Sequence, residues 1–387
     1  PRICVRYECV PMRFIKHVYK IHTYAQDGRL FEGKTPVSAF LNSSYDGSFI
    51  AGLMELRYIQ SLPVERIINY FESHGFTLKK PTAHKLMEKA SSLFENLYKC
   101  IRQTALSDPY KAADETYYKI LVPEKNSKGK GVRKGYLWVV VGINTRMIYL
   151  LYDDGSRSEK VILNELGGCK GIIQSDGYSP YRKLESDAYP HITRIPCLQH
   201  IKRKFIDCGE DDPDAKRIVE MINTLYQNEH KHKIGVDGWT VEQNLVHRKK
   251  YAPDILGEIK DVLDDIEERG DLLPKSELKE AITYLRNEWN AVVDIFNYGD
   301  TYLDNNIVER MNRYISLSRK NSLFFGSHKG AERGAILYTI ALTCRMNKVN
   351  LFEYLTDVIN RTAEWQPNTP LEKYRLLLPD RWEKAND

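Results

Sequence analysis

Ala112-Ala113-Asp114-Glu115-Thr116-Tyr117-Tyr118-Lys119-Ile120-Leu121-Val122 opens the part of the chain that decides the fold. Thr116 to Val122 is rich in β-branched and aromatic residues and predicts a strand. Asn126-Ser127-Lys128-Gly129-Lys130-Gly131 supplies a turn into a second run, Tyr136 to Ile143, and Asn144-Thr145 a tight reversal into a third, Met147 to Tyr152. The three make an antiparallel meander. A helix is expected from near Ser156 or Ser158, with Val161, Ile162, Leu163 and Leu166 as its apolar positions and Gly167-Gly168 as its stop. Gly171 to Ser175 then reads as a fourth strand, parallel within the same sheet, because a crossover helix returns the chain to the sheet it left.

Three antiparallel strands, a helix and a parallel strand are the ribonuclease H-like order, so the predicted fold class is α/β with a mixed sheet of that kind. The order places Asp114 on the first strand and Asp176 at the carboxyl end of the fourth, which are neighbours at the sheet centre. Two carboxylates distant in sequence thereby converge. Glu115 competes for the first role, but successive strand side chains face opposite sides, so only one of the pair can join Asp176; Asp114 is preferred. A two-metal site needs a third acid, and Asp304-Asn305-Asn306-Ile307-Val308-Glu309-Arg310 offers Glu309. Ile307, Val308, Met311 and Ile315 form a helical stripe that leaves Glu309 off the core face. Asn306 and Glu309 also fit a capping box on a solvated face, and the motif alone leaves both readings open.

These motifs resemble the large, DDE-bearing transposase of the insertion-sequence-66 group over nearly the whole chain. The likeness is carried by Ala113 to Thr116, Gly135 to Trp138, Gln174 to Tyr181, Cys197 to His200 with Arg203-Lys204-Phe205, Asp304 to Arg310, Arg319 to Ser327 and the closing Leu376 to Trp382. The resemblance implies that Asp114, Asp176 and Glu309 form an acidic triad, and it favours the catalytic reading of Glu309 over the capping one. It implies two Mg²⁺ ions, with Mn²⁺ as a substitute, DNA at transposon ends and target as partner, and accessory proteins encoded by the element. In that group a C-x-x-H pair follows the second Asp, so Cys197 and His200 are expected to position the site or DNA, as are Asn305 and Asn306. A structural zinc on Cys197 and His200 lacks a second ligand pair in the sequence.

At 387 residues, 42% apolar and 28% charged, the chain suits two or three globular domains. Its net charge of +5 is unevenly spread: residues 301–350 carry eight Lys/Arg against three acids, and 206–300 carry 12 basic against 22 acidic residues. A basic region beside an acidic site suits a polyanion, with Lys202, Arg203, Lys204, Arg310, Arg313, Arg319 and Lys320 as candidate phosphate contacts. The acidic span reads as helices at Ile218 to His230, Ile255 to Glu268 and Ser276 to Asn297, an insertion whose work is to contact DNA ends, a second protomer or the core. Seven singly spaced cysteines, no membrane-length apolar run and no leader point to a reducing, cytoplasmic setting at the bacterial nucleoid. The opening on Pro1 in place of Met points to a missing upstream piece.

The expected segments are an N-terminal piece (1–36), a helical DNA-binding domain (37–108), the first part of the sheet core (109–205), the acidic insertion (206–300), the last part of the core (301–350) and a helical tail (351–387). Cys4, Cys9, His17 and His22 are a loose zinc-ligand order with a short middle spacing. Ser61-Leu62-Pro63 starts one helix, broken at Ser73 to Thr77, and a longer amphipathic stretch runs from Thr82 to about Cys100; this is either a helix-turn-helix or a plain packed pair. Three functions fit: an active transposase working as at least a dimer, a nuclease or resolvase of the same fold that never joins strands, and a non-catalytic DNA-binding derivative.

Overall fold

The computed structural model describes residues 3–34, 38–40, 43–125, 129, 131–366 and 368–384. Asn126, Ser127, Lys128 and Lys130 of the predicted turn, and residues 36 and 37 at the first predicted boundary, lie outside them. Two short strands, β1 (Thr23–Gln26) and β2 (Arg29–Glu32), precede four helices, α1 (Gly47–Tyr58), α2 (Val64–Ser73), α3 (Lys80–Leu93) and α4 (Glu95–Ser107). Strands β3 (Tyr110–Leu121), β4 (Val132–Gly142) and β5 (Met147–Leu151) lead through α5 (Glu159–Leu166) to β6 (Gly171–Ser175), then α6 (Ser179–Arg182), β7 (Ile192–Pro196) and α7 (Leu198–Asp207). Helices α8 (Pro213–His230), α9 (Val241–Glu268) and α10 (Glu277–Ile295) follow, then α11 (Asn306–Asn321), α12 (His328–Met346), α13 (Leu351–Thr362) and α14 (Leu371–Arg375). The chain forms two compact units: Pro1–Ile101, Tyr118–Lys134 and Tyr314–Asp387 make one, Arg102–Tyr117 and Gly135–Arg313 the other.

The larger sheet is mixed and five-stranded, in the order β5-β4-β3-β6-β7. Ile143 N donates to Tyr110 O and Val122 N to Gly131 O, so β3 and β4 run antiparallel, as do β4 and β5. β6 is parallel to both β3 and β7. Leu137 to Val141 is buried without a break, the pattern of a strand covered on both faces. The crossover helix begins at the N-cap Ser158 and closes at Gly167, two of the residues that mark it in the sequence. Gly171 holds φ +90° against the Pro109 carbonyl, where a Cβ would collide, and this close approach lets Ile172 N bond Pro109 O at the start of β6.

The insertion is part of the core of its unit. Ile218, Ile222, Val262, Ile282 and Val292 from α8, α9 and α10 pack in one apolar cluster with Tyr110, Ile172 and Ile195 of the sheet and Leu198, Ile201 and Phe205 of α7. Helix α9 starts at Val241 and runs through Pro253, whereas the sequence reading began it only at Ile255. The buried face explains this: Asn244, Arg248, Ala252, Leu256 and Ile259 share one stripe, and their burial outweighs a break worth about 3 kcal/mol. Arg248, fully buried, donates to Glu229, to the carbonyls of Tyr298 and Thr301, and to the Thr301 hydroxyl.

Burial works against the Glu229 charge, and Arg248 and Tyr251 more than offset it, so its pKa ends below the usual glutamate value. A depressed carboxylate stabilises the fold above its unfolded pKa, about 4.3, and that contribution is lost as pH falls through the folded value. Glu229→Gln is therefore expected to cost about 2 kcal/mol at pH 7, with the gap to wild type closing below about pH 4. Urea melts at the two pH values measure it.

In the other unit, α1 packs against α13, α12 and α3, and Phe14, Phe49, Phe71 and Phe76 form an aromatic cluster with Phe14–Phe76 and Phe14–Phe71 centroids 4.7 and 4.9 Å apart. The stretch expected to be one helix from Thr82 to Cys100 is two, α3 and α4, divided at Phe94, which is fully buried. The β1–β2 hairpin turns on Asp27-Gly28, both at positive φ, a signal the sequence reading passed over. Phe325 bonds back to the β3 backbone at Lys119 and Leu121.

Candidate functional site

The parallel register pairs Ala112 with Gln174. Continued past that pair it brings Asp114 on β3 to the end of the sheet where Asp176 follows β6, and Asp114 feels the Asp176 charge. Burial first, then the like charges of Glu115 and Asp176, push Asp114 up to about 8. Both oxygens of Asp114 are held: Glu115 N donates to Oδ1 at 2.8 Å and the Asn312 amide to Oδ2 at 2.7 Å.

Glu115 feels the charge of Asp176 too. The Glu115 carboxylate is nevertheless committed: Arg157 donates to Oε1 through Nε and Nη2 at 3.0 and 2.5 Å, and the Tyr181 hydroxyl reaches Oε2.

The Asp176 turn is clamped from three sides. Its own Oδ1 accepts from Tyr178 N, Arg194 Nη1 donates to its carbonyl at 3.1 Å, and the Tyr284 hydroxyl accepts from Gly177 N at 2.8 Å. A Cβ on residue 177 would strike the Tyr284 ring, so glycine is required by that close approach. Arg194 and Tyr284 were absent from the sequence reading. Beside Asp176 opens a cavity of about 370 Å³ lined also by Arg157, Tyr178, His200, Arg203, Lys204 and Tyr284. The Arg157 guanidinium stacks 4.2 Å over the Tyr178 ring, so one wall is cationic and aromatic together.

Backbone ties bring the segment before the next helix beside Asp114. Gln174 donates to Pro196 O and Tyr302 O while accepting from the Tyr110 hydroxyl, and the Asn305 amide donates to Ala113 O beside Asp114. Helix α11 starts from there. Val308 N and Glu309 N both bond Asn305 O, so Asn305, not Asn306, occupies the cap position, and the Asn306–Glu309 capping box does not form. Asn306 is exposed and its N–H is taken by Asp304. One helical turn after Glu309 comes Asn312, the residue that holds Asp114. Glu309 itself faces Cys197 and His200: its Oε1 lies 3.7 Å from His200 Nε2. Among the described residues these three are the one group of His, Cys and acid side chains whose donor atoms all lie within 4.8 Å of one another. Burial pushes the Cys197 thiol up to about 12, against the pull of the Asn305 amide.

Of the candidate phosphate contacts, Arg203 and Lys204 line the cavity, Lys202 is half-buried with its ammonium 5.9 Å from the Tyr226 ring, and Arg310 and Arg313 are exposed on α11. Arg319 and Lys320 belong to the other unit. Cys4 and Cys9 are exposed free thiols.

The profile of the family described as "Transposase IS66 family" matches residues 42–333, three quarters of the chain. The chain belongs to the IS66 transposase family. The matched span contains Asp114, Asp176, Cys197, His200 and Glu309. Among curated relatives of this IS66 member are three uncharacterized proteins of Sinorhizobium fredii. It is 26% identical to y4jD over 86% of its own length and 65% of that protein, 24% to y4hP over 98% and 70%, and 26% to y4qI over 95% and 69%. The chain thus spans about two thirds of the length of the relatives it matches. IS66 membership supports a transposase role. No helix among the described residues is long and apolar enough to cross a membrane.

Proposed function

We propose that this chain cuts DNA at transposon ends and joins the freed 3′ ends to target DNA, as a DDE transposase with a ribonuclease H-like core and Asp114, Asp176 and Glu309 as metal-binding acids. The observation that carries the reading is Asp176 on the wall of a cavity lined also by Arg157, Arg203 and Lys204, with the buried Asp114 near enough to feel its charge. Burial first, then the like charges of Glu115 and Asp176, raise Asp114 to about 8; a divalent cation would offset both, and all-oxygen donors suit Mg²⁺ or Mn²⁺. The residues present fit that group: Asp176 and Asp114 would hold it with Glu309, and the ions would activate water and stabilise the leaving 3′ oxygen. The protein's own part is placement. Arg194 and Tyr284 fix the Asp176 turn, Asn312 fixes Asp114, and the cavity cations take the flanking phosphates. Two ends must be paired, so the working form is at least a dimer, with accessory proteins of the element as further partners.

The test is incubation of the purified chain with its flanking genomic DNA and Mg²⁺, reading nicking and joining together. Joined products from pre-cut ends support the transposase; nicking alone leaves a nuclease of the same fold; binding without either leaves an inactive derivative. Arg203→Ala and Lys204→Ala are each expected to weaken binding alike on every DNA sequence and to lower the slope of log affinity against log salt by about 1. Titrations at several salt concentrations check this.

A further inference from the structure

We propose that Cys197, His200 and Glu309 bind a transition-metal dication of the Zn²⁺ class, at a centre distinct in donor chemistry from the Asp114–Asp176 pair. The backbone builds the cluster. Cys197 caps α7 and His200 follows on the first turn, so the two side chains share a face at i and i+3. Leu198 N bonds Leu303 O, and Asn305 N donates to Cys197 Sγ at 3.2 Å, which sets the start of α11, and with it Glu309, against the start of α7.

Ligands at 2.0–2.3 Å around one tetrahedral ion stand about 3.3–3.7 Å apart. His200 Nε2 and Glu309 Oε1 are already 3.7 Å apart, and all three donors lie within 4.8 Å, so small side-chain rotations close the shell. Two atoms of this group are otherwise unexplained: Glu309 Oε1 and His200 Nδ1 are buried with no hydrogen-bond partner among the described residues. Such orphans in a native fold call for an ion or water. An ion on His200 Nε2 satisfies Glu309 Oε1, takes Cys197 as the thiolate, and leaves His200 Nδ1 to a water. A thiolate–imidazole–carboxylate set selects zinc over magnesium, and the Asn305 amide on sulfur is the outer partner such a ligand takes. Three protein donors leave one position open to water or a phosphate oxygen. Glu309 has two carboxylate oxygens, so binding here through Oε1 is compatible with a role of the other beside the acid pair.

The experiment uses the full chain with Cys4→Ser and Cys9→Ser, so that the exposed N-terminal thiols contribute nothing. Elemental analysis after dialysis should find close to one zinc per chain, and Cys197→Ser should lose it. Glu309→Gln should raise the zinc Kd more than about tenfold. Replacing zinc with Co²⁺ should give a thiolate-to-cobalt charge-transfer band that Cys197→Ser abolishes. Zinc retained by Cys197→Ser, or a chain that takes up no zinc and shows no thiolate band with Co²⁺, overturns the proposal. Should Cys197→Ser fail to fold by circular dichroism, the cobalt spectrum of the parent protein decides alone. No readout involves DNA, so failure here and failure of the strand-cutting reading are separately visible.

Discussion

The Asp176→Asn protein should bind transposon-end DNA as tightly as wild type and cut it at least about a thousandfold more slowly. Metal-ion catalysis supplies several kcal/mol of charge stabilisation, and each 1.36 kcal/mol is a factor of ten. The substitution is mild on the fold. Asparagine keeps the Oδ1 acceptor that Tyr178 N uses, and the Arg194 and Tyr284 contacts go to backbone atoms of residues 176 and 177. It also removes a like charge from beside Asp114, so the melting temperature without metal should be unchanged or higher. That stability readout separates a catalytic loss from unfolding. Gel-shift affinity and single-turnover cleavage, measured on one preparation with Mg²⁺, decide the matter; a variant that still nicks at near wild-type rate would remove Asp176 from the chemistry.

Strand order is legible because runs of β-branched and aromatic residues divided by turn residues, a Ser158 start and a Gly167 stop are local signals. What escaped was tertiary. Arg194 sits between Thr193 and Ile195 and looks like an outward strand residue, yet it is fully buried. Glu288 and Tyr284 look like the solvated face of a helix, yet α10 turns them toward the Asp176 loop. Asn312 falls on the buried stripe of α11 at the spacing of Val308 and Ile315, and a polar residue on an apolar stripe was the available sign that it holds Asp114. The capping box that Asn306 and Glu309 fit in sequence does not form, because a one-residue shift of the helix start changes which residue caps. The acidic insertion is open in sequence to three readings, contact with DNA ends, a second protomer or the core, and its apolar residues share a core with the sheet.

Glu288→Ala should destabilise the chain by about 3 kcal/mol or more, a large effect for one residue. Glu288 is 1% exposed, Arg194 is 0% exposed, and they are directly bonded. Burial works against the Arg194 charge; Glu288 and Glu185 more than offset it, so the guanidinium pKa ends above its ordinary value. Arginine is not deprotonated in proteins, so the charge stays when Glu288 is cut away. Glu185, 36% exposed, still faces it, which places the loss at the lower end of the range for a broken buried pair. Pairing Arg194→Met with Glu288→Leu should recover most of the stability, since a packed apolar pair replaces a desolvated ionic one with little net cost. It should not recover cleavage, because the Asp176 carbonyl and the Ser175 hydroxyl lose their donor. Urea melts on the single and double variants, run beside the cleavage assay, separate the two roles. A double variant that restored cutting as well as stability would show that Arg194 serves packing alone.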